Sequence, residues 1–337
     1  MDGPVLPLAL SLGDPAGIGP ELIAQAWAQH ASAGLPPFFV VGGAGLLAEA
    51  AASRGLPIEI RRIGSPAEAS ATFASALPVL GDEDAPYTPG KPNPGGAQLA
   101  LHSLGSAVHL ASEGLAGGIV TAPVAKAELA AAGFAFPGQT EFLAHACGLE
   151  AEDAVMMLAG PSLKAVPLTV HVPLAQVASL LSTGLIVHRA RIVATALRED
   201  FGIAAPHLAL CGLNPHAGES GRMGREDSEI IAPAIIQLRA EGIDSSGPHP
   251  ADTMFAPHKR ATYDVALAMY HDQALIPLKA LDFDSGVNVT LGLPIVRTSP
   301  DHGTAFDIAG KSVADPGAMI ASIRMAGEIV RNRARHA

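Results

Sequence analysis

Apolar and polar positions follow two alternating rhythms along the chain. Short runs dense in Val, Ile, Leu and Phe ("LPLALSLGD", "PPFFVVGG", "GGIVTAPV") are each followed by an Ala-rich stretch of helical character ("GPELIAQAWAQHA", "GLLAEAAASRG", "AKAELAAAG"). Apolar runs bounded by Gly and Pro read as buried strands. Strand-then-helix repetition requires crossover connections, so the pattern predicts parallel strands covered by helices. The same order continues through "AVPLTVHVP", "HLALCGLNPH" and "YDVALAMYHD". Between the early and middle sets, "DEDAPYTPGKPNPGG" predicts a long surface loop. No internal repeat or low-complexity tract interrupts the pattern.

Three of these runs finish on a histidine: His171, His216 and His271. In parallel α/β sheets the loops at the carboxyl ends of strands build the ligand crevice, so residues there can converge although they lie far apart in sequence. Three readings stand open for them. They are core histidines closing a strand, half of a nucleophilic triad, or three imidazoles holding a divalent ion with a free coordination position and a carboxylate such as Asp272 behind. The chain has no Gly-x-Ser-x-Gly elbow, which counts against the triad.

Other polar groups lie near these strand ends. "GESGRMGRED" is either an anion cradle of backbone N–H groups or a surface turn, with the turn preferred. Lys279, Asn288 and Arg297 follow His271, and Lys with Arg suits a doubly anionic small substrate. Gly43, Gly45 and Ala48 match Gly-x-Gly-x-x-Ala between a strand and a helix, the form of a dinucleotide fingerprint. The acidic residue that should follow about 20 positions on is badly placed, with Glu59 the nearest, so we read a tight turn of small residues.

Composition narrows the classes. At 337 residues the chain suits two ordinary α/β domains or one large one. The net charge of −11 argues against nucleic acid, which needs a clustered basic surface. The basic tail "RNRARHA" reads as a helix C-terminus complementing its own dipole. Cys147 and Cys211 are too few for a disulfide framework, and "MDGPVLPLALSLGDP" lacks a basic, long-apolar leader. No apolar run reaches about 18 residues unbroken. A cytoplasmic protein with no membrane span is expected.

Taken in order, "GDPAGIGPE", "TAPVAK", "FPGQTEFLA", "HVPL", "LNPHAGESGRMGRED", "GPHPADTMF" and "AMYHDQALIPLKALDFDSGVNVTLGLPIVRTSPDHGTAFDIAGK" resemble the 4-hydroxythreonine-4-phosphate dehydrogenases of pyridoxal phosphate biosynthesis over nearly the whole chain. The resemblance implies an isocitrate/isopropylmalate-dehydrogenase-like fold, two α/β domains with an intervening active-site cleft. We place the first domain at 1–128 plus 303–337 and the second at 129–302. It also implies a homodimer whose sites draw on both subunits.

By the same resemblance His171, His216 and His271 hold a divalent metal, zinc first, with magnesium or cobalt as alternatives. Substrate-binding positions fall on Gln139, Thr140, Lys279, Asn288 and Arg297. The family usually has His before that Thr, and Gln139 keeps a hydrogen-bond donor without the capacity for charge. "DHGTAFDIAGKSVADP" is similar to the adenosine loop of isopropylmalate dehydrogenases, which puts His302, Gly303 and Asp307 on the cofactor. Asp307 would meet the ribose and favour NAD over NADP, its alternative role being a helix cap.

The implied reaction is oxidation of 4-phosphooxy-L-threonine to a β-keto acid that decarboxylates to 3-amino-2-oxopropyl phosphate. Asp272, Asp252 and Lys279 are candidates for the proton acceptor, with Asp272 first. Alternatives are a dehydrogenase of another phosphorylated hydroxy acid or of a dihydrodiol, and a phosphate acyltransferase of similar architecture.

Overall fold

The computed structural model describes residues 6–336, so the first part of the stretch read as lacking a leader lies outside the described residues. The described residues form twelve strands: β1 (Leu8–Ser11), β2 (Phe38–Val41), β3 (Ile60–Ile63), β4 (Leu77–Leu80), β5 (Ile119–Thr121), β6 (Val155–Ala159), β7 (Lys164–Pro167), β8 (Leu208–Cys211), β9 (Ser245–His249), β10 (Val265–Ala268), β11 (Val287–Leu291) and β12 (Arg297–Pro300). The chain divides into two compact units. Unit 1 comprises Met1–Ala151 and Leu293–Ala337, and unit 2 comprises Glu152–Gly292. The sequence had suggested divisions at 128 and 302. The helices Lys126–Ala131 and Gln139–Ala146 fall in unit 1.

In unit 1 the strand order is β3-β4-β2-β1-β5-β12, parallel throughout. Its central strands carry no exposed residue, because helices cover both faces: all four residues of β1 and β2 are buried. β3 and β4 come from "IEIRRIG" and "LPVLG", which the apolar pattern did not single out. β3 is an edge strand with two arginines pointing to solvent, so only half of it reads as apolar.

The Pro- and Gly-rich stretch ends earlier than expected. Asn93 Oδ1 accepts the Gly96 N–H at 2.9 Å and Pro94 occupies the first helical position, so "NPGG" starts the helix Pro94–Ser112.

In unit 2 the order is β11-β6-β7-β10-β8-β9. β7, β10, β8 and β9 are parallel as the pattern predicted, but β6 runs antiparallel to both β7 and β11. Only four residues, 160–163, separate β6 from β7, too few for a crossover. The basic tail forms the end of the helix Gly317–His336, with Arg333 donating to the Pro294 carbonyl at 2.9 Å. Among the described residues no single helix is long and apolar enough to cross a membrane.

The Gly43–Ala48 turn is a strand-to-helix connection whose helix, Ala44–Ser53, already has an anion at its N-terminus. Asp84 accepts the Gly45 N–H at 2.6 Å and the Leu46 N–H at 3.2 Å. A carboxylate of the chain occupies the place that a pyrophosphate takes in a dinucleotide fold. Asp84→Ala is expected to lower stability by about 1 kcal/mol, the usual worth of such a cap, measured as a lower urea midpoint at an unchanged denaturant slope.

Candidate functional site

In unit 2 the three histidines follow three strands that are neighbours in the sheet. β7 precedes His171, β8 precedes His216 and β10 precedes His271, in the order β7-β10-β8. None is a core residue: His171 and His216 are exposed and the His271 side chain is 36% exposed. The His171 and His271 ring centroids stand 5.6 Å apart. Among the described residues no three His, Cys, Asp or Glu side chains stand together as a ready metal-holding set.

Two of the three have left-handed backbones, with φ 53° at His171 and 54° at His216. From His216 to Ser220 every residue is left-handed, so "GESG" is a strained turn. Such conformations cost on the order of 1–2 kcal/mol per non-glycine residue and persist only where surroundings enforce them. Asp227, 2% exposed, does so at the entrance to the turn. Its carboxylate accepts Leu213 N–H at 2.9 Å, Asn214 N–H at 3.3 Å and Asn214 Nδ2 at 2.9 Å.

The strand ends are also stitched to each other. Gln273, 8% exposed, accepts the Met269 N–H at 2.6 Å and donates to the Gly212 carbonyl at 2.8 Å, joining the ends of β10 and β8. Thr169 Oγ1 donates to the Met269 carbonyl at 2.9 Å, joining β7 to β10. The chemical reading of "YHDQ" singled out His271 and Asp272. The glutamine two positions on is the residue that ties their loop to the loop of His216. Nothing in the sequence marks it: its role comes from burial in the first turn of the helix His271–Asp282.

Asp272 Oδ1 lies 2.7 Å from His271 Nδ1. A carboxylate accepts only, so the proton of the neutral ring sits on Nδ1 and the Nε2 lone pair is free for a metal or a proton. Asn288, on β11, has its Oδ1 buried with no hydrogen-bond partner among the described residues. Lys279 lies two turns beyond His271 on the same helix, half-buried.

Unit 1 holds the remaining predicted positions. Arg297, on β12, is 5% exposed, and burial pulls its guanidinium down to about 10, still charged at neutral pH. It donates to Thr121 Oγ1 at 2.8 Å and to Gln139 Oε1 at 3.0 Å. Gln139 and Thr140 open the helix Gln139–Ala146, whose first N–H groups have no side-chain cap. Because the Gln139 oxygen faces Arg297, its NH2 is directed elsewhere as a donor. Thr121 was missed in sequence, where "TAPVAK" showed a strand end without a chemical cue.

His302, Gly303 and Asp307 are exposed in one irregular stretch, with His302 Nδ1 3.0 Å from the Gly303 carbonyl. No helix begins after Asp307. The next one, Gly317–His336, is capped by Asp315, which accepts the Gly317 N–H at 2.7 Å, so the capping role does not apply to Asp307.

Two α/β units, a buried arginine facing an uncapped helix start and a row of strand-end imidazoles define an enzyme of the α/β dehydrogenase class, and solved structures agree. A 4-hydroxythreonine-4-phosphate dehydrogenase from Klebsiella pneumoniae is 41% identical with a TM-score of 0.87, over 98% of this chain and 100% of that one. A terephthalate 1,2-cis-dihydrodiol dehydrogenase from Burkholderia xenovorans LB400 is 31% identical with a TM-score of 0.66, over 96% and 98%.

Residues 35–326 match the family model for the pyridoxal phosphate biosynthetic protein PdxA, and the chain belongs to that family. The 4-hydroxythreonine-4-phosphate dehydrogenase of Erythrobacter litoralis (strain HTCC2594) is 62% identical over 334 residues, 99% of each chain.

The Gln273 bridge has a measurable consequence. Gln273→Leu fills the same space but leaves the Met269 N–H and the Gly212 carbonyl buried without partners. A loss of about 2–6 kcal/mol in urea unfolding is expected, about 1–3 kcal/mol for each of the two groups.

Proposed function

We propose that the protein is a metal-dependent, NAD-linked 4-hydroxythreonine-4-phosphate dehydrogenase acting in pyridoxal 5'-phosphate biosynthesis. It oxidises the C3 alcohol of 4-phosphooxy-L-threonine, and the β-keto acid loses CO2 to leave 3-amino-2-oxopropyl phosphate. The observation that carries this reading is the match to proteins of that name over nearly the whole chain, one of them 62% identical over 99% of each chain. The dihydrodiol alternative is weaker, since the relative of that name is only 31% identical.

His171, His216 and His271 are suited to hold the divalent ion, zinc first, with magnesium or cobalt as alternatives: three exposed imidazoles after adjacent strands, one with its Nδ1–H already turned to a carboxylate. Bound there, the ion supplies Lewis-acid polarisation of the reacting oxygen. Asp272 holds the His271 tautomer, which favours an orienting role for it and leaves Lys279 and Asp252 as the other candidates for proton transfer.

Arg297, Gln139 and Thr140 bind the phosphate, Arg297 by its permanent charge and the helix start by unfilled N–H groups. Asn288 Oδ1, buried without a partner, is an acceptor for a substrate donor such as the amine. His302, Gly303 and Asp307 contact the adenosine half of NAD, where the Asp307 carboxylate disfavours the 2'-phosphate of NADP. The active form is a cytoplasmic homodimer.

The direct test is NADH formation from 4-phosphooxy-L-threonine with and without chelator, alongside metal analysis of His216→Ala. Chelator-sensitive turnover and loss of both metal and activity in the variant are expected. Full activity of His216→Ala at unchanged metal content would remove His216 from the ligand set.

Gln139→Glu tests the phosphate end. The variant keeps the acceptor for Arg297 but adds a negative charge beside the phosphate, and like-charge juxtaposition costs several kcal/mol. The Michaelis constant for substrate is expected to rise on the order of 100-fold, while thermal stabilisation by inorganic phosphate disappears. A Michaelis constant within a few-fold of wild type would show that the phosphate lies elsewhere.

A further inference from the structure

The motif "GDPAGIGPE" has no role in the chemistry above, yet its last residue is the most deeply buried carboxylate described. Glu21 has 0% exposure, in the first turn of the helix Gly19–Ala28. Carboxylates are almost never fully buried unless paired, and the partners of this one are informative. Glu21 Oε1 accepts the Gly310 N–H at 2.5 Å and the Tyr87 hydroxyl at 3.3 Å, while Oε2 faces Arg54 Nη1 at 3.4 Å. Arg54 Nη2 goes on to Gln25 Oε1 at 2.6 Å and to the Ala314 carbonyl at 3.1 Å. Burial first, and the Glu21 charge second, push the Tyr87 phenol up to about 12, so it remains a donor throughout the working range.

Gly310 and Ala314 lie at the far end of the irregular stretch that begins at His302. Its near end is tied too: the Ile18 N–H donates to the Thr304 carbonyl at 3.0 Å. The loop at Pro89 and Gly90 closes over the middle, where a Cβ on Gly90 would come 3.0 Å from the Phe306 carbonyl and one on Gly310 2.8 Å from Pro89. Residues 304–314 have no helix or strand to hold them, and Asp307 stays exposed between the tied points.

We propose that Glu21 is a positioning residue for the dinucleotide: with Arg54 and Tyr87 it sets the shape of the 304–314 stretch so that Asp307 and Gly303 meet the cofactor without reordering. This rests on the reading of His302, Gly303 and Asp307 as the cofactor contacts. Fixing one residue's backbone costs about 1–2 kcal/mol, so a stretch already shaped binds more tightly than one that must be ordered on binding. The motif at the start of the chain thereby acts on cofactor affinity through a segment almost 290 positions away, 289 between Glu21 and Gly310.

The test uses Glu21→Gln, which retains the shape but removes the charge and turns an NH2 toward Arg54, with Asp307→Ala as a comparison. NADH affinity is read by fluorescence titration, and Michaelis constants are measured for both NAD and the phosphorylated substrate. A roughly tenfold weaker NADH affinity is expected for Glu21→Gln, the worth of one hydrogen bond to a charged group. The Michaelis constant for the phosphorylated substrate should stay within about twofold, whereas a merely structural defect would move both or neither.

Weakening in Asp307→Ala without weakening in Glu21→Gln overturns the role of Glu21 alone. No weakening in either overturns the cofactor assignment as well. If Glu21→Gln does not fold, Tyr87→Phe removes one donor to the same carboxylate. It should weaken NADH about threefold by the same hydrogen-bond scale, and unchanged affinity there also overturns the proposal.

Discussion

Loops that follow parallel strands leave backbone groups at the sheet edge with no ladder partner, and those groups are costly to bury unpaired. Each unit answers this with a few buried polar side chains. In unit 2, Gln273 and Thr169 bridge the ends of β7, β10 and β8, and Asp227 accepts two backbone N–H groups before the His216 turn. In unit 1, Glu21 takes the Gly310 N–H and Arg54 takes the Ala314 carbonyl. These groups fix the loops that carry the proposed site residues, so the proposed site and the fold draw on the same hydrogen bonds. The left-handed run at 216–220 is tolerable only because Asp227 holds its entrance.

That dependence explains what was legible in sequence. Strand and helix periodicity gave the parallel α/β class and most of unit 1, because buried strands there are apolar on both faces. It missed β4, it missed β3, whose outer face carries Arg61 and Arg62, and it missed the reversed direction of β6, which depends on a four-residue connection to β7 and not on the composition of the strand. The three histidines were visible as strand ends, and the adjacency of β7, β10 and β8 in the sheet puts the loops that carry them at one end of it. The supporting groups were not visible. Gln273, Asp227, Thr121 and Glu21 have ordinary residue types, and their importance comes from burial and partners.

The same physics separates the two glycine-containing segments that resemble cofactor motifs. Behind β2, the helix start is neutralised by Asp84 and needs no ligand. Around Gly303, the stretch is held from its two ends and from Gly90 while Asp307 and His302 remain exposed. A helix N-terminus that has already found its anion inside the chain is a folding element. An exposed carboxylate on a stretch anchored by buried groups has the form of a recognition element.

Gln139 sharpens the distinction between charge and geometry beside Arg297. Arg297 is buried and charged, and its Nη2 donates to Gln139 Oε1, which orients the amide. An imidazole at that position could accept from Arg297 only through an unprotonated nitrogen, and a protonated ring would place two cations side by side. The amide escapes this conflict: it accepts from the guanidinium and donates outward at every pH at which the protein is folded. The positive charge of the pair is then carried by Arg297 alone, which follows from an acceptor on one side of the amide and a donor on the other.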